Sequence, residues 1–355
     1  MMDYYILNPV SFNADGIIQN ITSVVWNCQF FGLSEFEMSL PANGANMKLC
    51  NVGCFIARAS DFDGTEFRNV MVIEKKVLSF GEEVGWSIKI SGGGLKSLLN
   101  LRVIWEQVTR SGSVEQCIYE VVRLNAVAPE DSTRTIPNLV IGESVGLEYT
   151  ADIQVFSERI GDWIESVAQQ YGFGWDMYID VTNGRIVFQL KVGEDRTSES
   201  ESPVIFSEDF DNLYSCEYTY DKSTYFNTGL VGGEGDGINQ RTAQAGGGTH
   251  LNRRETYIDG TSVSSNGDII TLETYMEMLR NYGSESLSQY SVAKSFTCNV
   301  DPNGMFTYGT DFSLGDIVEI DTAGVVASAR ITEVIYSEDS SGEKMTLTLG
   351  ETEVD

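Results

Sequence analysis

The sequence is short of histidine, of basic residues and of long apolar runs. A single histidine, His250, occurs in 355 residues, so paired-histidine catalysis and His-rich metal sites are excluded. Lys and Arg number 23 against 52 Asp and Glu, a formal net charge of −29. Proteins that grip phosphate backbones do so with basic side chains, so a nucleic-acid grip is disfavoured, and so is attraction to an anionic membrane surface. No apolar run approaches the roughly 18 residues that span a bilayer. The opening stretch, MMDYYILNPV, has neither a basic start nor a long apolar core, so no signal peptide is expected. Cys28, Cys50, Cys54, Cys117, Cys216 and Cys298 are scattered. Cys50 and Cys54 form the one close pair, with no second pair to complete a zinc site. Reduced thiols packed as small apolar residues, in a chain made in a reducing cytoplasm, are expected.

What is present is core-forming material. Apolar residues make up 42% and aromatics 11%, unlike a disordered acidic tail, and the length suits roughly two or three domains. Residues 24–30 and 36–40 alternate apolar and polar, as half-buried antiparallel strands do. Similar runs cover 54–59, 69–78 and 84–90, with turn signals at Asp63-Gly64 and Ser79-Phe80-Gly81. The pattern predicts a meander or barrel of about five or six strands.

After Ser91-Gly92-Gly93-Gly94 the period changes. Ser113 is placed to cap a helix from Val114, with Gln116 at the capping-box position. A second helix is predicted from Ser157, with Ile160, Trp163, Ile164, Val167 and Tyr171 on one face and Gly172 as its stop. Thr182-Asn183-Gly184 between two alternating runs predicts a hairpin over 173–192. Residues 193–203 read as an acidic linker unable to order itself. Strands follow at 213–220 and 225–231, then a long glycine-rich loop over 232–248. A helix capped by Thr271 is predicted over 272–282. Strands close the chain at 296–300, 317–320, 327–336 and 344–349, with turns at Asp301-Pro302-Asn303-Gly304 and Ser340-Ser341-Gly342. No short repeat is visible, although both ends are meander-like.

Each motif with chemical promise has a plainer reading. Gly142-Glu143-Ser144-Val145-Gly146 fits G-x-S-x-G, with His250 downstream. That motif needs a strand, a sharp turn and then a helix, yet residues 147–152 alternate like a strand, so an ordinary turn is expected. Gly92-Gly93-Gly94-Leu95-Lys96-Ser97 resembles a phosphate loop but places Leu95 where glycine must precede lysine. Asp61-Phe62-Asp63-Gly64 begins like a calcium loop, but its glycine comes two residues early and Val72 takes the place of the bidentate glutamate. Glu234 and Asp236 remain as candidate ligands of a loosely held calcium ion. Carboxylate pairs of glycosidase type require a cleft and separated pKa values. Trp26, Trp86, Trp105, Trp163 and Trp175 fall at expected core positions rather than on a sugar-stacking surface. No catalytic, cofactor-binding or metal residue is assigned, and no enzyme activity is expected.

Several segments, in order along the chain, resemble the siphophage tail hub family, the tail-associated or baseplate hub proteins of the Gp37-like type. Residues 32–41, ending Phe36-Glu37-Met38-Ser39-Leu40-Pro41, are similar to its G-x-F-x-l-x-l-P strand. Residues 92–102, ending at Arg102, resemble its G-x-x-L-x-x-L-x-x-R segment. Arg134-Thr135-Ile136-Pro137 is similar to R-x-I-P, and residues 206–213 to F-S-x-x-x-x-N-L. Residues 227–233 resemble N-x-x-x-V-x-G, Arg253-Arg254-Glu255 resembles R-R-E, and Leu314-Gly315-Asp316-Ile317-Val318 resembles L-G-D-x-V.

The resemblance implies a mainly β, α+β chain with two tube-like antiparallel β-barrel domains and an inserted α/β domain. The first barrel would take 1–97, completed by 205–232; the insertion 98–204; the second barrel, with one helix, 233–355. It implies a structural virion protein made in the bacterial host cytoplasm, related to the baseplate hub of contractile phages. Three copies would form a pseudo-hexameric ring joining the hexameric tail tube to a three-fold tip, spike or fibre, with a channel that DNA crosses in transit. Partners would be further copies, tail-tube and distal tail proteins, and a tip or receptor-binding protein. Many members carry a C-terminal hydrolase or receptor-binding part; this chain ends at Asp355, so none is expected. A receptor- or carbohydrate-binding tail component is the alternative, and a cell-wall hydrolase a more remote one. An acidic channel wall would repel phosphates and let the duplex slide.

Overall fold

The computed structural model describes residues 3–18, 20–82, 85–267, 269–301, 304–322 and 325–351. Val84, Pro302 and Asn303, assigned above to a strand and a turn, lie outside them. The chain is mainly β, with helices between its strands.

Its dominant element is one long antiparallel sheet. We label its strands β1 (Ser23–Gln29), β2 (Glu35–Pro41), β3 (Lys75–Gly81), β4 (Gly85–Gly93), β5 (Leu213–Asp221), β6 (Ala293–Val300), β7 (Val325–Asp339) and β8 (Gly342–Glu351). Their order in space is β5-β6-β8-β7-β1-β2-β4-β3, with Ile317–Thr322 branching from β7. No closed barrel is found among the described residues: the path is open, and strands from both ends of the chain share one sheet through β7–β1. The C-terminal half, β5-β6-β8-β7, takes its strands in the order first, second, fourth, third. The N-terminal half, β1-β2-β4-β3, takes them in that order again. The sequence showed no repeat, but the sheet contains one.

Alternation divides the sheet into two faces. Trp26, Met38, Ile90, Tyr336, Leu347 and Phe296 turn to one side and are buried in one large apolar cluster. The strands Tyr4–Leu7, Ala14–Ile18 and Phe55–Arg58 form a separate sheet, and Tyr4, Ile6, Ile18 and Ile56 from it join that cluster.

The insertion builds a second core. Helix α1 (Val114–Val122) begins at Ser113, whose Oγ accepts the Gln116 N–H, and helix α2 (Ile160–Tyr171) ends at Gly172 in the left-handed region (φ 72°). The start of α2 is corrected from Ser157 to Ile160; Ser157 itself has φ 64°. The predicted hairpin forms from Gly174–Asp180 and Arg185–Lys191, and Asp180 holds its turn through the Asn183 N–H at 3.0 Å.

Two loop expectations are corrected. Residues 193–203 are pinned: Asp195–Arg196 pairs with the branch strand, and the Ser198 hydroxyl donates to Glu319 at 2.6 Å. The 232–248 stretch contains the strand Thr242–Gly246, paired with Thr228–Gly232, which in turn pairs with Glu255–Asp259. This three-stranded sheet is covered by helix α3 (Leu272–Ser288), six residues longer than predicted, through Val231, Tyr275 and Leu279.

Candidate functional site

The second face of the long sheet is mostly polar, with Val25, Val77 and Ile335 among its apolar members. Register places Lys75 and Ser79 of β3, Ser87, Lys89 and Ser91 of β4, and Glu35, Glu37 and Ser39 of β2 on it. Across β1 and β7 it continues with Asn27, Gln29, Glu333 and Ser337. Thr346 and Thr348 of β8, Thr297 and Asn299 of β6, and Ser215, Glu217 and Asp221 of β5 complete it.

These side chains are tied across the strands. Glu333 Oε1 accepts Asn27 Nδ2 at 2.8 Å and Gln29 Nε2 at 2.5 Å, while its Oε2 accepts the Thr348 hydroxyl at 2.6 Å. The Thr346 hydroxyl donates to Asn299 Oδ1 at 2.7 Å, and Asn299 Nδ2 to Ser215 Oγ at 2.6 Å. Lys89 pairs with Glu37 at 2.6 Å. The charged groups include Glu35, Glu37, Glu217, Asp221, Glu333 and Asp339 against Lys75, Lys89 and Lys344, six carboxylates and three ammonium groups. The chain's −29 is therefore carried mostly elsewhere. Hydroxyls and amides, which bind nothing tightly, dominate this face.

Among the described residues the sheet's two edges, β3 and β5, pair with no further strand, and they carry exposed aromatics: Phe80 on β3, with Trp86 of β4 beside it, and Tyr214, Tyr218 and Tyr220 on β5. Trp86 and Trp105 correct the core assignment of all five tryptophans. They are 56% and 60% exposed, while Trp26, Trp163 and Trp175 are buried.

The other sequence motifs resolve into structure. Residues 142–146 form no nucleophile elbow. Their turn is held by the buried Glu115 carboxylate on α1, which accepts the N–H groups of Val145, Gly146 and Leu147 at 2.7, 3.1 and 3.0 Å. His250 begins a short turn between two strands of the three-stranded sheet, and among the described residues no hydrogen bond joins it to Ser144. At Gly92 an added Cβ would fall 1.9 Å from the Val72 carbonyl oxygen, so this glycine serves a close backbone approach. Lys96 points inward; its ammonium donates to the carbonyls of Gln29, Phe30 and Gly32 at 2.7, 3.3 and 3.0 Å and faces the Trp175 ring. Burial pulls its pKa down to about 8. It lines a cavity of about 720 Å³ where the long sheet meets the insertion. Asp61 on the same wall is held bidentately by Arg58 at 2.8 and 2.9 Å.

Glu234, a candidate calcium ligand, is engaged within the chain. Its carboxylate accepts Ser264 Oγ, Ser265 N and Ser265 Oγ at 2.9, 2.7 and 2.7 Å, and pairs with Arg241. The reduced-thiol expectation is corrected for Cys216 and Cys298. These stand directly opposite on β5 and β6, with Cα atoms 4.1 Å apart, and form a disulfide. A carboxylate pair does occupy a cavity of about 240 Å³ between α2 and α3, Glu158 with Glu285. Burial, then mutual repulsion, raises Glu285 to about 8; burial raises Glu158 to about 7, with Asp162 adding to it. Both are pushed the same way, which is not the acid–base division of a glycosidase.

Solved phage and prophage tail proteins share this architecture over its whole length. The tail protein of Neisseria meningitidis MC58 superposes with a TM-score of 0.57 at 12% identity, covering 99% of this chain and 96% of that one. The 43 kDa tail protein of prophage MuSo2 from Shewanella oneidensis gives 0.56 at 14% identity, covering 98% and 97%. The Francisella PdpA-VgrG complex in its lidded form gives 0.50 at 10% identity, covering 99% of this chain and 52% of that one. The fold is thus one that solved tail proteins share. Residues 3–351 match the family model described as Siphovirus ReqiPepy6 Gp37-like protein, and the chain belongs to that family. No curated protein matches the sequence. The tail hub resemblance read from the sequence therefore stands, and family membership makes the chain a virion component of the tail or baseplate.

Proposed function

We propose that the chain is the tail-tip hub subunit, and that copies of it close the long sheet into a continuous wall around a channel. One observation carries this: the twice-used strand order, first-second-fourth-third, makes the two halves successive units along one sheet. At their joint, the third strand of one half, β7, pairs antiparallel with the first strand of the next, β1. The free edges are the same two kinds of strand, β3 (third) and β5 (first). All seven steps from β5 to β3 are antiparallel, so β3 and β5 run in opposite directions. The β3 of one copy can therefore meet the β5 of the next as β7 meets β1.

Six such units, two per copy in the trimer implied by the family resemblance, give pseudo-six-fold symmetry on one side for a tail tube and three-fold symmetry on the other for a tip. The two tube-like domains are these halves, each completed by its neighbours, with the α/β insertion outside. The polar face lines the channel, and its excess of carboxylates over ammonium groups, with many hydroxyls and amides, offers a DNA phosphate few fixed cations to hold it. Light scattering of the purified chain, alone and with its tail-tube protein, tests the proposal. A trimer mass and ring-shaped particles with an open centre in electron microscopy support it; a chain that stays monomeric in both samples overturns it.

A further inference from the structure

The insertion carries a surface that the proposed ring does not use. Residues 102–105 run antiparallel to 156–160, with Val103 bridged to Arg159 and the Ser157 N–H on the Ile104 carbonyl at 2.9 Å. Trp105 stands out from this ribbon, and the Arg134 guanidinium lies 4.2 Å from its ring centroid. Arg134 is fixed by Nη2 bonds to the Val103 carbonyl at 2.6 Å and Asn125 Oδ1 at 3.3 Å. Arg102 Nε donates to the Arg134 carbonyl at 2.7 Å. Asn125 is buried in a π-helical turn, Arg123–Val127, and its Oδ1 also takes the Trp105 N–H. Single π turns recur at functional sites.

Among the described residues, Arg102, Arg134 and Arg159 form no ion pair. Glu106 and Asp131 act on Arg134 only from a distance, and Asp131 is engaged with Thr133. On a chain with 29 more acids than bases, three arginines oriented by backbone carbonyls, or exposed without a carboxylate, make a local basic patch that an outside anion can pair with. Leu101, Val103 and Phe156 add exposed apolar area around the tryptophan. Tryptophan and arginine are the side chains most enriched at the energetic centres of protein interfaces, and a guanidinium fork matches a carboxylate. A long polyanion suits the patch poorly, because the acidic remainder of the surface would repel it.

We propose that Trp105 with Arg102, Arg134 and Arg159 docks an acidic segment of a partner protein, its carboxylates on the guanidinium groups and an apolar side chain on the indole. This stands apart from the ring, since it concerns the insertion and not the sheet edges.

The test is fluorescence anisotropy of a fluorescein-labelled hexapeptide of alternating Glu and Phe, titrated with the full chain at low and high salt. Saturable binding that weakens with salt is expected, and Trp105→Ala or Arg134→Gln should weaken it at least about tenfold, the scale of an interface centre. Arg134→Lys, which keeps the charge and loses the fork, should fall between. Trp105→Ala and Arg159→Glu alter exposed side chains, so their melting curves should match the parent, which separates lost binding from lost folding. Three results would each overturn the proposal: no binding at millimolar peptide, unchanged binding by the Trp105→Ala/Arg159→Glu double variant, or tighter binding of oligo-dT or polyphosphate than of the peptide at this surface.

Discussion

The Glu115 carboxylate accepts the Val145 N–H at 2.7 Å, and this bond explains the G-x-S-x-G stretch better than catalysis does. Three successive backbone donors converge on one buried acid, so Gly146, in the left-handed region at φ 75°, serves a tight anion-binding turn. Burial alone would raise the Glu115 pKa, but the bonds from Val145, Ser144 and Leu147 outweigh it and leave it lowered. Glu115→Gln should cost about 1–3 kcal/mol at neutral pH, because one oxygen acceptor is replaced by a donor facing N–H groups. The native pKa lies below that of an unfolded glutamate, about 4.3. The stabilisation is therefore complete above that value and is lost as pH falls through the native pKa. Denaturant midpoints of parent and variant should converge in acid; a constant gap would contradict this.

Glu158 and Glu285 behave in the opposite sense. Their native pKa values, about 7 and about 8, lie above the unfolded value. Folding is then unpenalised in acid and grows less favourable as pH rises from the unfolded pKa towards about 8. Glu285→Gln should raise the melting temperature at pH 8.5 and change it little at pH 5. Equal shifts at both pH values would refute the pairing.

Lys96 holds the turn after β1 against the insertion through the carbonyls of Gln29, Phe30 and Gly32, and the Phe31 carbonyl accepts Trp175 Nε1 at 2.5 Å. Lys96→Met leaves those carbonyls without their donor and should destabilise the chain by about 1–3 kcal/mol in urea unfolding. The Trp175 fluorescence band should shift to the red as its environment loosens.

The sheet edges separate assembly from folding. Phe80→Glu or Tyr214→Glu puts a charge on β3 or β5 where the proposed neighbour pairs, and each should lower the mass seen by light scattering without lowering the melting temperature of the monomer. Tyr257→Glu, an equally exposed aromatic on the three-stranded sheet, should leave the mass unchanged.

Local physics was legible in the sequence. The caps at Ser113 and Thr271, the stop at Gly172 and the Asn183-Gly184 turn depend on neighbours within a few residues, and all four are found. Sheet membership was not legible, because Gln29 meets Glu333 across 304 residues and alternation names a face without naming a partner. Alternation also misjudged depth. Trp86 shares its face with the buried Ile88 and Ile90 but lies near the strand's end, beyond the core. The acidic stretch 193–203 was misread because its order comes from the branch strand more than 100 residues away. The polar face drew no notice for a similar reason, since serine and threonine at every second position look unremarkable until eight strands line them up.

The β7–β1 joint has a consequence for assembly. In the proposed ring three of the six joints lie inside single chains and form as each chain folds. Closing the ring then restricts the translation and rotation of three bodies where six separate half-length subunits would be needed, and each body immobilised costs several kcal/mol, roughly 4–15 by current models. Carrying both halves on one polypeptide moves more than half of that ordering into folding, so the wall can close at lower protein concentration than an equivalent hexamer.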